Sequence, residues 1–134
     1  MKRLLLAALA ASAAALGATA QPAPGNACFF VRDVGDRSVV GSHTLYFKVT
    51  DRAHMHTIAY YRVETDGRCD VGANASDPHH GFWVASSSVA AGEAAQVCNK
   101  SELKIEAGGL QCAVGSLTRV TPQEIAALPR GLRP

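Results

Sequence analysis

Four cysteines, Cys28, Cys69, Cys98 and Cys112, are the feature that most restricts how this chain can fold. No two of them are closer than 14 positions, so the chain lacks the close C-x2-C pairs typical of structural zinc sites and of thioredoxin-like redox motifs. An even number of cysteines in an exported chain favours disulfides. The sequence therefore predicts two structural disulfides, and a zinc site is the less favoured alternative.

Four cysteines allow three pairings. Cys28 opens the first apolar segment and Cys112 lies in the last one, so we predict a bond between them that ties the two ends of the fold, together with a bond between Cys69 and Cys98. The alternative pairs Cys28 with Cys69 and Cys98 with Cys112. In the chain-entropy model, disulfides that close the loops between these cysteines stabilise a small domain by roughly 3.5 to 4.5 kcal/mol each.

Residues 1–20 have the three parts of a bacterial signal peptide. Lys2 and Arg3 precede an apolar run over residues 4–17, and Ala18-Thr19-Ala20 gives a small-x-small cleavage site. The apolar run is short for the ~30 Å hydrocarbon core of a bilayer. We predict a periplasmic or secreted product with no transmembrane segment after cleavage. The predicted organisation is a signal peptide at 1–20, a flexible lead-in at 21–27, one disulfide-stabilised domain at 28–129 and a tail at 130–134.

Export also changes the charge of the product. The whole chain has 13 basic and 11 acidic side chains, and loss of Lys2 and Arg3 leaves 11 of each. No basic run remains that could neutralise phosphates, so a nucleic acid is not expected as a partner. We expect a monomer that binds another envelope protein or a ligand.

Two segments alternate between apolar and polar residues, which indicates half-buried strands. In residues 44–49 the apolar face carries Leu45, Phe47 and Val49. Residues 54–63 alternate in the same way, and one of their faces carries His54, His56, Ile58, Tyr60 and Arg62.

The remaining pattern predicts turns, shorter strands and one helix. Residues 82–89 form a weaker strand, and residues 103–106 and 110–120 flank a hairpin turn at Ala107-Gly108-Gly109. Thr121, Pro122 and Glu124 form a capping box that begins a helix, which ends at Pro129. Five or six strands with a C-terminal helix predict a mainly β fold, either a small, partly closed antiparallel barrel of the OB type or a compact sandwich.

The pattern resembles a family of small exported proteobacterial proteins catalogued only as a domain of unknown function. The likeness covers residues 28–128. It rests on the placement of the four cysteines, on the strand that carries Tyr60 and Tyr61, and on the junction from Cys112-Ala113-Val114-Gly115 into the Thr121 helix start. The resemblance implies export and disulfide bonding, and it implies no activity.

Histidines are the main candidates for chemistry. His54 and His56 lie two positions apart on a predicted strand and can bind Zn2+ or Cu2+ if a third ligand approaches. The residues that could supply that ligand are His79, His80 and His43. No cofactor is otherwise expected. Tyr60 and Arg62, with Trp83 from a neighbouring segment, form a candidate binding patch.

No motif nominates an enzyme. The chain has no G-x-S-x-G elbow and no H-E-x-x-H motif, and Ser86-Ser87-Ser88 has no recognisable base beside it. The favoured hypothesis is a non-catalytic exported module that binds or supports another component of the cell envelope. The alternatives are a periplasmic metal-binding protein, and a hydrolase or redox enzyme.

Overall fold

The computed structural model describes residues 28–75, 77–79, 81–87 and 94–134. The described residues contain nine strands and two short α-helices, and the strands form three antiparallel sheets. The predicted signal peptide and the lead-in at 21–27 lie outside the described residues. None of the described helices is long and apolar enough to cross a membrane.

The largest sheet contains the two alternating segments of the sequence as neighbouring strands. In spatial order its strands are β2 (Val34–Val39), β3 (Thr44–Asp51), β4 (His56–Thr65) and β9 (Val114–Val120). Leu45, Phe47 and Val49 are fully buried, which confirms the predicted apolar face of β3. Tyr61 and Val63 are their buried neighbours on β4.

The opposite face of this sheet is covered by the C-terminal helix α2 (Pro122–Ala127). Tyr46, Val120 and Ile125 form a second buried cluster there, so Tyr46 is buried although it lies on the face opposite Leu45, Phe47 and Val49. Thr121 begins the helix as predicted, because its hydroxyl oxygen accepts a hydrogen bond from the Glu124 backbone N–H at 3.2 Å. The burial of Ile125 in this cluster holds a helix that is too short to be stable alone.

A three-stranded sheet faces the first one. Its spatial order is β5 (Phe82–Ser86), β7 (Leu103–Ala107) and β8 (Leu110–Cys112). The predicted hairpin joins β7 to β8, with Gly108 at φ 57° and Gly109 at φ 81°. This left-handed backbone suits glycine, because a side chain adds a steric penalty there.

The chain passes from one sheet to the other at Ala113. Residues 110–120 therefore form two strands, β8 and β9, where the sequence pattern predicts one continuous strand. Phe82 and Ile105 from the three-stranded sheet share one core with Leu45 and Phe47 from the larger sheet. The mainly β fold is confirmed and is sandwich-like, and the sheets do not close into a barrel.

Two disulfides are present, as predicted, but both predicted pairings are wrong. The bonds join Cys28 to Cys98 and Cys69 to Cys112. The bond between Cys28 and Cys98 follows from a two-stranded sheet, in which β1 (Phe29–Phe30) pairs with β6 (Gln96–Val97). Phe29 lies opposite Val97, so the next pair of residues in this register is Cys28 and Cys98. Cys28 does not meet Cys112, since the first strand pairs with β6 and not with the last apolar segment.

The second disulfide lies where the chain changes sheets. Cys69 follows the end of β4, and Cys112 precedes β9, which pairs with β4. The Asp66 N–H donates to the Ala113 carbonyl oxygen at 3.0 Å beside it. The disulfide between Cys69 and Cys112 therefore ties the loop after β4 to the crossing between the two sheets.

A capping box that the sequence analysis missed fixes the chain at the other disulfide. The Glu102 carboxylate accepts hydrogen bonds from the backbone N–H groups of Cys98, at 2.6 Å, and Asn99, at 3.3 Å. The Asn99 side chain in turn accepts from the Ser101 N–H. This N-x-x-E spacing is visible in the sequence and predicts such a helical turn.

Candidate metal site and adjoining groove

The turn between β3 and β4 brings together one carboxylate and two imidazoles. Asp51 ends β3 and His56 begins β4, and the two residues are register partners. Asp51 Oδ1 accepts hydrogen bonds from the backbone N–H groups of Ala53, at 2.8 Å, and His54, at 3.3 Å, which fixes the carboxylate within the turn. Met55 closes the turn with a left-handed backbone at φ 54°.

Distances within this cluster are short. His54 Nδ1 donates to Asp51 Oδ2 at 2.8 Å, and the rings of His54 and His56 lie 5.9 Å apart between centroids. One ligand atom from each of the three residues lies within 4.8 Å of the other two. The pKa of Asp51 is lowered, chiefly because its carboxylate accepts the hydrogen bond from His54.

Asp51 is the third member of a cluster for which the sequence analysis named only His54 and His56. Its signal is present in the sequence, since a hairpin that pairs the end of residues 44–51 with the start of residues 56–65 places Asp51 opposite His56. An acidic residue where the predicted turn begins is therefore the sequence signal for the third ligand.

The other predicted ligands are placed elsewhere. The two ring nitrogens of His79 lie 3.0 Å from the Arg37 carbonyl oxygen and 2.8 Å from the Gly131 carbonyl oxygen, which joins the predicted tail to β2. His43 precedes β3 at the end opposite Asp51, and its Nδ1 lies 2.8 Å from the Cys69 carbonyl oxygen. His80 lies outside the described residues.

An open groove adjoins the cluster and shares Asp51 with it. We call it the β3–β4 groove; it has a volume of about 640 Å³. Its apolar lining includes Phe30, Val49 and Ile58, and its charged lining consists of Arg32, Asp33, Asp51 and Arg52. Phe30 and Ile58 are 36% and 47% exposed, so the floor carries apolar surface that water reaches.

Ile58 lines this groove because the register between β3 and β4 shifts. Val49 pairs with Ala59, whereas the next residue, Thr50, pairs with Thr57, so that Ile58 is an extra residue on β4. The sequence pattern places Ile58 on one face with Tyr60 and Arg62. The shift instead brings it beside Val49 in the groove.

Charges of both signs surround the groove. Asp33 lies 3.8 Å from the Arg32 guanidinium and 3.9 Å from that of Arg52. The Arg32 guanidinium also stacks 4.9 Å from the centroid of the Phe30 ring. These contacts hold the arginine side chains at the edge of the apolar floor.

The three residues of the predicted binding patch have different surroundings. Tyr60 is half-buried in the cluster under helix α2. Arg62 forms ion pairs with Glu124 at 3.0 Å and with Glu64 at 3.6 Å. Trp83 is 62% exposed on β5, where the Arg37 guanidinium lies 4.7 Å from its ring centroid. The contacts in the described part of the chain join Tyr60 and Arg62 to α2 and join Trp83 to β2.

All four cysteines are paired, so none is a free thiol. A cysteine nucleophile needs such a thiol. Two disulfides are typical of proteins from an oxidising compartment.

Comparison with family models, with curated proteins and with solved structures finds no match. The resemblance to the family of exported proteobacterial proteins stays a prediction.

Proposed function

We propose that this protein is a non-catalytic binding module of the bacterial cell envelope, and that the β3–β4 groove is its binding surface. The observation that carries the proposal is an apolar floor within a charged rim, where Phe30 and Ile58 are open to solvent beside the buried Val49. The predicted signal peptide and the two disulfides support a location outside the cytoplasm, in the periplasm or beyond the cell.

The chemistry of the groove favours a segment of a partner protein as its occupant. An apolar floor contributes binding energy by removing hydrophobic surface from water, at roughly 25 cal/mol per Å². The rim carries two arginines and two aspartates, Arg32, Arg52, Asp33 and Asp51. Such mixed charges do not favour a polyanion or an anionic lipid surface, whereas they can pair with a peptide that has an apolar side chain between charged ones.

The rigid framework supports a binding role. Phe29, next to Phe30 in β1, packs its ring against Phe47 and Tyr61 in the core, at 5.3 and 4.8 Å between centroids. The disulfide between Cys28 and Cys98 fixes the start of the same strand to the end of β6. A groove wall held in this way loses little conformational freedom on binding, which favours affinity.

Selection from a displayed library of random peptides tests the proposal. The bait is the disulfide-bonded protein in a buffer with a metal chelator, so that the result depends on the groove alone. We expect enrichment of peptides with an aromatic or aliphatic anchor beside charged residues, and loss of their binding in Ile58→Asp.

Leu110→Asp is the matched control, because Leu110 is similarly exposed, at 53%, but begins strand β8 of the other sheet. Its binding should equal that of the wild-type protein. Absence of enriched peptides, or equal binding by the Ile58→Asp variant, contradicts the groove as the binding surface.

A further inference from the structure

The turn between β3 and β4 offers three metal-ligating side chains on one exposed surface. Asp51, His54 and His56 supply a carboxylate oxygen and two imidazole nitrogens, and these atoms lie within 4.8 Å of one another. The His54 side chain is 72% exposed, so an ion can reach the cluster without any opening of the core.

The backbone prepares the carboxylate for this role. Asp51 Oδ1 is held by the N–H groups of Ala53 and His54, while Oδ2 faces the His54 ring. Oδ2 and Nδ1 are 2.8 Å apart with a proton between them. An ion that replaces this proton needs ligand atoms about 3.4 Å apart, the value for tetrahedral bonds of ~2.0–2.1 Å. Small rotations of the exposed side chains provide this change, and the neutral ring changes tautomer by exchange with solvent, so that Nε2 carries the proton and Nδ1 binds the ion.

The donor atoms determine the class of metal. Imidazole is a ligand of zinc, copper and nickel, whereas Mg2+ and Ca2+ prefer a shell of oxygen atoms. Three protein ligands leave at least one coordination position for water, unlike the closed four-ligand sites that stabilise small domains. The fold here is held by two disulfides and has its own core, so it does not need the ion.

We propose that Asp51, His54 and His56 bind one divalent ion of the late first-row transition metals, with Cu2+ bound more tightly than Zn2+. The order of the two ions follows from their general affinities for nitrogen and oxygen ligands. The metal site and the groove share Asp51, and the proposal of the metal site does not rest on peptide binding in the groove.

Titration of the disulfide-bonded protein with Zn2+ and, separately, with Cu2+ tests the site by calorimetry and native mass spectrometry. We expect one ion per chain. His54→Ala and His56→Ala should each weaken binding by more than about tenfold, since even changes beside metal ligands cost roughly 10–100-fold in affinity. His79→Gln is the control and should bind as the wild type does, because His79 contacts backbone carbonyl groups elsewhere.

The Asp51→Asn variant distinguishes the role of Asp51 as a metal ligand from its role in forming the turn. Asparagine retains an oxygen that can accept the N–H groups of Ala53 and His54, so the turn is kept while the negative charge is lost. We expect weaker metal binding by a folded protein. Nuclear magnetic resonance should show Zn2+-dependent shifts at residues 51–56 and not at His79.

The result that overturns the proposal is the absence of a 1:1 complex, or equal affinity in the variant that lacks both His54 and His56. Zn2+-dependent resonance shifts at His79, without shifts at residues 51–56, also overturn the proposal. Since the peptide selection is performed with a chelator present, failure of the metal site leaves that result unchanged, and the two proposals can fail separately.

Discussion

The Glu124 carboxylate accepts a hydrogen bond from the Arg62 guanidinium at 3.0 Å and so ties helix α2 to the middle of strand β4. The Tyr46 hydroxyl donates to the same Glu124 oxygen at 3.3 Å. In a capping box this carboxylate turns back to the backbone at its own helix start. Here it joins the helix to the sheet, above the cluster of Tyr46, Val120 and Ile125.

Loss of this link should loosen the helix without unfolding the protein. We expect Glu124→Gln to lower the free energy of unfolding by about 0.5–1.5 kcal/mol, because the pair is partly exposed and water screens it. Urea denaturation measures this change. In a double-mutant cycle with Arg62→Met, the coupling should be about 0.5–1 kcal/mol, and a coupling of zero contradicts the proposed link.

Gly108 should tolerate no side chain. Its φ of 57° is left-handed, and an added Cβ lies 2.6 Å from the Asn74 carbonyl oxygen, which belongs to the backbone and cannot easily move. We expect Gly108→Ala to lower the free energy of unfolding by about 1–3 kcal/mol. Gly67→Ala is the control, because a Cβ there meets nothing within 4 Å, and equal effects at the two sites contradict this account.

Tyr61 should make the protein sensitive to alkali. Burial raises the pKa of Tyr61 above its ordinary value of 10.0, and the charge of Arg119 offsets part of this shift. The folded state therefore holds the proton more tightly than the unfolded state. This contribution to stability is complete below about pH 10 and is lost as the pH rises through the pKa of the folded protein.

The Tyr61→Phe variant should consequently lose less stability than the wild type on transfer from neutral to strongly alkaline buffer. Urea denaturation at both pH values, with absorbance of the tyrosinate as a second measure, checks this expectation. If the wild type and the Tyr61→Phe variant lose the same free energy of unfolding in alkaline buffer, Tyr61 is not the cause of the sensitivity to alkali.

The disulfides should be found as Cys28 with Cys98 and Cys69 with Cys112 in a peptide map made without reduction. Their partners are 70 and 43 positions apart. Loops of these lengths stabilise by about 4 kcal/mol each in the chain-entropy model. We expect each of the double variants, Cys28→Ala/Cys98→Ala and Cys69→Ala/Cys112→Ala, to have its free energy of unfolding lowered by a similar amount. A map with Cys28 joined to Cys112 contradicts the fold described above.

The sequence by itself determined the local features of this protein. Alternation with a period of two identifies Leu45, Phe47 and Val49 as core residues, because successive side chains of a strand point to opposite faces. The helix start at Thr121 and the turn at Gly108-Gly109 depend on neighbours in the chain, so their residues alone predict them. The number of disulfides also follows from the residues, since an even count of exported cysteines favours full pairing.

Only the tertiary structure decided how distant segments meet. The pairing of β1 with β6 selects Cys98 as the partner of Cys28, and the crossing at Ala113 sends β8 and β9 to different sheets. The register shift at Ile58 turns that side chain into the groove, and the hairpin brings Asp51 to His56. These outcomes depend on the packing of whole strands against one another, and no periodicity within a single segment encodes them.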